Sequence, residues 1–163
     1  MITVELVNGD RIVTRLSNVS GGMRAALRTA IQQSVIDMEA QVKEKLSGPV
    51  LQNRTGRLRN SIVSDVSEDG ATITGTVAAK TPYAAIQEYG GTTRAHLIEA
   101  RDAKSLAFMM GGKLVFAKSV QHPGSNIPSR SYLRSTLAEN AVPIADRIRH
   151  AIQQAIYDEG LAE

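Results

Sequence analysis

Apolar residues recur along this chain in two rhythms, and each predicts a kind of element. Met23, Leu27, Ile31, Val35, Met38, Val42 and Leu46 return every three or four positions. That period marks one face of an α-helix, so residues 21–47 are expected to form a long amphipathic helix stopped at Gly48-Pro49. Such a helix spans about 40 Å at 1.5 Å per residue, and part of its stripe is expected to face another subunit. Leu133, Leu137, Ala141, Ile144, Ile148, Ile152 and Ile156 repeat the pattern near the C-terminus. They predict a second long helix over residues 130–159, ended by Gly160. Pro143 lies inside it and has no N–H for the carbonyl of Glu139, so a kink is expected there and not a break.

Elsewhere the period is two. Ala71, Ile73, Gly75 and Val77 alternate with Thr72, Thr74 and Thr76. One apolar and one threonine face suit a half-buried strand, within a hairpin over residues 61–79 that turns at Asp69-Gly70. Ile2, Val4 and Leu6 mark a strand over residues 2–7, followed by a turn at Asn8-Gly9-Asp10. Residues 11–19 fit either a short helix or a second strand. Residues 50–60 form a polar connection holding Arg54, Arg57 and Arg59. Pro82 bends the chain into Tyr83–Gly91, one or two helical turns closed by two glycines. Residues 95–120 are strands, with Leu106, Phe108 and Met110 entering and Leu114 and Phe116 leaving a Gly111-Gly112 turn. Residues 121–129, with two prolines and a glycine, are an exposed loop. The stretch 92–130 as a whole is an extended loop or arm. Strands gathered in hairpins make an antiparallel sheet packed against the two long amphipathic helices. The class is α+β, in a single domain over residues 1–163.

The chain has 163 residues and no cysteine, which removes disulfides, thiolate zinc sites and cysteine nucleophiles. No apolar run reaches the roughly 18 residues of a membrane helix, and the N-terminus lacks a basic and apolar leader. No membrane association is expected, and the protein is expected to be made in the cytoplasm. Net charge is +3, unevenly spread: residues 91–134 hold seven Lys/Arg against two Asp/Glu, and residues 135–163 two against five. The basic middle and acidic tail either meet within one chain, meet head to tail between subunits, or stay solvated.

Little in the chain points to chemistry. His96, His122 and His150 are far apart, and no His-Glu-x-x-His pattern exists. Gly111-Gly112-Lys113 is followed by Leu114, where a phosphate loop needs Ser or Thr. No Gly-x-Ser-x-Gly elbow is present. No catalytic residue, metal or cofactor is expected. Arg54, Arg57 and Arg59 either contact phosphate or lie in a solvated loop paired with carboxylates. The second reading is favoured because the aromatics that usually accompany nucleic-acid recognition sit elsewhere. The chain has four Tyr, two Phe and no Trp. Two of those tyrosines fall in Tyr83–Gly91, which has no nucleophile or ligand spacing, and this favours packing or docking.

Three segments, Thr55-Gly56-Arg57-Leu58-Arg59-Asn60-Ser61-Ile62, Tyr83-Ala84-Ala85-Ile86-Gln87-Glu88-Tyr89-Gly90 and Ile127-Pro128-Ser129-Arg130-Ser131-Tyr132-Leu133-Arg134, stand in that order between the two long helices. Together they resemble the small tail-component proteins of long-tailed double-stranded DNA phages, the gene-product-ten-like neck or tail-completion proteins. The resemblance covers about residues 10–160. In it Thr55 and Gly56 end the loop after the first helix. Leu58, Arg59, Ser61 and Ile62 enter the hairpin. Tyr83, Ala84, Glu88, Tyr89 and Gly90 form the second motif, and Arg130, Tyr132 and Leu133 start the last helix. Ser131 stands where the family often has proline. Without the family, the same residues have physical uses. Gly56 and Gly90 supply turns that a side chain would obstruct. Ser129 or Ser131 caps the last helix, and Tyr83, Tyr89 and Tyr132 bury ring area while keeping a hydroxyl for hydrogen bonding.

The resemblance implies a non-enzymatic virion structural protein of the head–tail junction. It would assemble as a six-fold homo-oligomeric ring and dock to head-connector and tail-tube proteins, with DNA contact only in the ring lumen. The alternative expectation is a small basic nucleic-acid-binding protein, whose affinity would fall steeply with salt.

Overall fold

The computed structural model describes residues 2–7, 11–16, 20–48, 50–51, 55–101 and 103–160. Two strands open the chain, β1 (Ile2–Val7) and β2 (Arg11–Leu16), paired antiparallel from Ile2↔Leu16 to Val7↔Arg11. Residues 11–16 therefore take the strand alternative. The turn expected at Asn8-Gly9-Asp10 and residues 17–19 lie outside the described residues.

Helix α1 (Gly21–Lys45) starts from Ser20, whose Oγ accepts a hydrogen bond from the Met23 N–H at 3.1 Å. This satisfies one of the N–H groups that a helix start leaves free. Lys43 and Lys45 occupy its last turn, where cations suit the negative end of the helix dipole. Leu27, Ile31, Val35, Met38, Val42 and Leu46 are all buried within the chain. The apolar stripe is thus consumed internally, which corrects the expectation that its length serves another subunit.

The connection before the hairpin contains a short helix, α2 (Arg57–Asn60), entered through Gly56 at φ 72°. Leu58 drops from it into the core while Arg57 and Arg59 stay exposed. Strands β3 (Ile62–Asp69) and β4 (Thr72–Ala79) pair from Ile62↔Ala79 to Asp69↔Thr72. That register makes Gly70-Ala71 the turn, one position later than predicted, with Gly70 at φ 54°. Ile73, Gly75 and Val77 are buried in alternation, as the threonine pattern required. A Cβ at Gly75 would sit 2.6 Å from Val35 Cγ1 and 2.8 Å from Ile31 Cγ2. Glycine here lets the sheet close onto α1. β4 also pairs with β2, giving a four-stranded antiparallel sheet in the order β1-β2-β4-β3.

Helix α3 (Ala84–Tyr89) follows, then a ribbon of nested strands. In chain order these are β5 (Gly91–Thr92), β6 (His96–Glu99), β7 (Leu106–Met110), β8 (Lys113–Ala117), β9 (Ser119–His122) and β10 (Asn126–Ile127). β5 pairs with β10, β6 with β9 and β7 with β8. Residues 121–129 are accordingly not a free loop. Parts of that stretch are paired strand, because the outgoing chain offers complementary extended backbone.

Helix α4 (Leu133–Asp158) ends the fold and runs through Pro143 without a break. Val142 and Pro143 are exposed, so water can reach the carbonyl that the proline leaves undonated. The fold class is α+β. α1 packs on β3 and β4, and α4 lies antiparallel on α1. A polar seam flanks the helix pair: Arg147 Nη2 to Asp37 Oδ2 at 2.6 Å, Asn140 Nδ2 to Gln41 Oε1 at 2.6 Å, and Lys45 Nζ to Glu139 Oε1 at 2.8 Å. One core joins the layers, from Leu27 and Ile31 through Ile73 and Val77 to Tyr132, Leu137, Ile144 and Ile148.

Candidate assembly site

The second and third motifs meet, and Glu88 is the residue that joins them. α3 places Ala84 and Glu88 on one face, since residues four apart are helical neighbours, and both are buried. Glu88 is only 2 % exposed. Its carboxylate accepts from the N–H groups of Tyr132 (2.8 Å), Leu133 (2.9 Å) and Arg134 (3.1 Å). The Ser131 hydroxyl donates to it at 2.9 Å, and Arg134 Nε at 3.2 Å. A carboxylate far away in sequence thus caps the positive end of α4. Burial alone pushes the Glu88 carboxyl up, but the N–H donors of Leu133, Arg134 and Tyr132 and the Ser131 hydroxyl outweigh it and hold it below the usual glutamate range.

Of the two expected serine caps, Ser131 takes a share, since its Oγ reaches a first-turn N–H of α4, and Ser129 does not. Ser131 Oγ accepts from the Ser135 N–H at 3.3 Å, and Ser129 Oγ donates to the Glu88 carbonyl at 2.8 Å. Of the three motif tyrosines, only Tyr132 is fully buried, with its hydroxyl donating to the Ala84 carbonyl at 3.2 Å. Burial first, then the Glu88 charge, pushes its phenol up to about 12. Tyr83 and Tyr89 are exposed, correcting the expectation that they bury ring area. Tyr89 instead carries the Arg134 guanidinium 4.6 Å above its ring. Leu133 packs at the edge of the core, and the Arg130 N–H donates to the Gln87 carbonyl at 2.9 Å. In the first motif, Thr55 is exposed, and Ser61 ends α2 with its hydroxyl on the Leu58 carbonyl at 2.7 Å. Leu58 and Ile62 share the core with Ala84 and Tyr132.

Gly90 sits where the ribbon leaves this clamp. It has φ 74° and ψ −178°, and a Cβ would fall 2.7 Å from the Ser129 nitrogen and 2.9 Å from the Ile127 carbonyl oxygen. Only glycine lets the outgoing and returning chains touch here.

Beyond the clamp, no described residue from 91 to 127 is buried. In the terminal β7–β8 hairpin, Ala107, Met109, Leu114 and Phe116 share one face, and Leu106, Phe108, Val115 and Ala117 lie on the other. Both faces are apolar except for Lys113, which shares the second face beside the turn, and Met109 and Phe116 are 65 % and 64 % exposed. An isolated two-stranded hairpin is marginal in water, and an exposed apolar patch marks a contact surface. At its base, His96 and His122 face each other across β6 and β9 with rings stacked 5.1 Å apart. No group of three metal-capable side chains occurs among the described residues.

Of the basic residues between 91 and 134, only Arg134 forms an ion pair among the described residues, and its partner is Glu88. In the acidic tail, Glu139 pairs with Lys45 and Asp146 with Arg149. Among the described residues, the basic middle and the acidic tail form no ion pair with each other. Arg57 and Arg59 are exposed and likewise pair with no carboxylate among the described residues of this chain, which leaves pairing with a neighbouring subunit, and Arg54 lies outside them.

The profile of the phage virion morphogenesis family matches residues 20–153, from the cap of α1 to the last turns of α4. The chain belongs to that family. It is a phage virion-assembly protein, and β1 and β2 precede the matched span. No curated protein and no solved structure shows significant similarity to it. Among the described residues, this virion protein has no helix long and apolar enough to cross a membrane. The family description is broader than the neck and tail-completion group that its three motifs resemble.

The role of Glu88 was missed by sequence reasoning, although the residue was named. A signal existed: it is the one carboxylate in the Ala84–Tyr89 turn, four residues from an alanine on the packed face. A carboxylate in that position needs donors, but the sequence does not say which distant segment brings them.

Proposed function

We propose that this virion protein acts at the head–tail junction as a tail-completion or neck component. It assembles there into a six-fold ring and docks to a head connector on one side and a tail tube on the other. The observation that carries this reading is the β-ribbon, apolar on both faces at its tip and rooted on the core by the Glu88 clamp. Such a ribbon gains stability only when another surface covers it. The basic residues along it, which pair with no carboxylate among the described residues, and the acidic tail support contacts between copies in which two different faces meet, as ring closure requires. DNA is met only in the lumen of that ring.

The test is genetic and structural. Removing the gene from the phage that carries it is expected to leave full heads and separate, complete tails. Supplying the intact chain restores joining, whereas a chain with residues 95–122 replaced by a short Gly-Ser linker does not. Gold-labelled antibody is expected at the neck of finished particles. Infectious particles formed without the protein, or label confined to the capsid or tail tip, would overturn the assignment.

A further inference from the structure

A groove of about 530 Å³ runs between the N-terminal half of α1 and the C-terminal half of α4. Ala26 and Ala30 from α1 and Ala151 and Ala155 from α4 line it, leaving room that larger side chains would fill. Asp158 and Glu159 stand at one end, and Glu159 also accepts from the Ser20 hydroxyl. No residue of the ribbon enters it. Its size is that of cavities that enclose a compact apolar ligand or a few side chains.

The ribbon tip is the matching object. Met109, Leu114 and Phe116 present an apolar face, and Lys113 adjoins the Gly111-Gly112 turn. Lys104 and Lys118 lie just behind, and none of these lysines pairs with a carboxylate among the described residues. Arg147, paired with Asp37, and His150 also line the groove, so a basic, apolar tip is complementary to it in apolar character and in charge at the Asp158–Glu159 end. The two sit at opposite ends of α4, because the ribbon is rooted at Tyr132 and the groove ends at Glu159. The helix between them is about 40 Å long. Tip and groove are different surfaces at opposite ends of α4, so their union suits a heterologous contact that passes from copy to copy, and a reciprocal pair would instead stop at a dimer.

We propose that the occupant of the α1–α4 groove is the β7–β8 tip of a second copy of this chain, with Lys113 of one copy beside Asp158 and Glu159 of the next. This rests on the ring reading above and assigns its contact surface.

The absence of cysteine makes the test clean. A phage carrying Leu114→Cys together with Gln154→Cys, both exposed positions, is grown, and purified particles are treated with a short bis-maleimide. A ladder of linked copies is expected, with each single variant giving no ladder. In purified protein, Lys113→Glu and Asp158→Lys are each expected to weaken self-association about tenfold, and the pair to restore it. Particles that contain the protein but give no ladder would overturn the groove assignment and leave the virion role intact. Particles lacking the protein would overturn the virion role itself. Charge variants whose effects simply add, with no restoration in the pair, would also refute the groove contact.

Discussion

Replacing Glu88 separates a structural clamp from a merely present carboxylate. Its two oxygens satisfy three backbone N–H groups, one hydroxyl and one guanidinium in a site closed to water. Hydrogen bonds to a charged group contribute about 1.5–3 kcal/mol each, but they are not additive here because they share one acceptor. Glu88→Gln keeps the shape and one acceptor oxygen while losing the charge that faces the α4 dipole, a cost of about 2 kcal/mol. Glu88→Ala leaves the N–H groups without a partner and is expected to cost about 4 kcal/mol. For a chain of this size each kcal/mol moves the melting temperature about 2–4 °C. The expected losses are thus about 4–8 °C for Gln and about 8–16 °C for Ala, read by circular dichroism. The pH dependence supplies an independent check. The folded carboxyl lies below its ordinary value of 4.5, so it stabilises the fold above that value. That contribution is lost as pH falls through the lower, folded value. Asp37, held down first by the Gln33 amide, acts in the same direction. So does Glu39, where burial is outweighed by Lys43 and Ser64. The difference between wild type and Glu88→Gln isolates the clamp: it should shrink on acidification below about pH 4.5. A Gln variant that melts with wild type from pH 7 to pH 3 would refute the clamp.

Gly90→Ala is expected to cost about 2–4 kcal/mol, because the new Cβ meets backbone at a φ and ψ that other residues avoid; urea denaturation measures it, and a loss under about 0.5 kcal/mol contradicts the close approach. Gly75→Ala should cost about 1–3 kcal/mol by forcing Ile31 and Val35 away from the sheet, checked by the same titration. Arg147→Met is expected to change the melting temperature by no more than about 4 °C by differential scanning calorimetry, since the Asp37 pair is partly exposed and such pairs contribute about 0–1 kcal/mol. Replacing residues 95–122 with a Gly-Ser linker should leave the melting temperature of the body nearly unchanged, because that part of the ribbon buries nothing in it; a collapse of the fold by calorimetry would show that the ribbon belongs to the core.

Local pattern alone determined both long helices, the β3–β4 hairpin and the hairpin around Gly111-Gly112. Each of these buries or pairs residues close in sequence, so period and turn chemistry suffice to place it. The three motifs were likewise visible as unusual residue combinations, and they carried the family resemblance. Tertiary structure decided the rest. Whether residues 11–16 form strand depended on β4 being available as a partner, which no local signal records. The main α4 cap depended on a chain reversal that carries Glu88 to Tyr132, whereas the local candidate Ser131 supplies only one further acceptor. The length of α1 read as surplus for a neighbour until the sheet and α4 were seen to consume its stripe. The side chains of the ribbon tip are as apolar as those of a buried strand, yet no described residue of the ribbon is buried. Burial is a property of what lies opposite a residue, and only the folded arrangement specifies that.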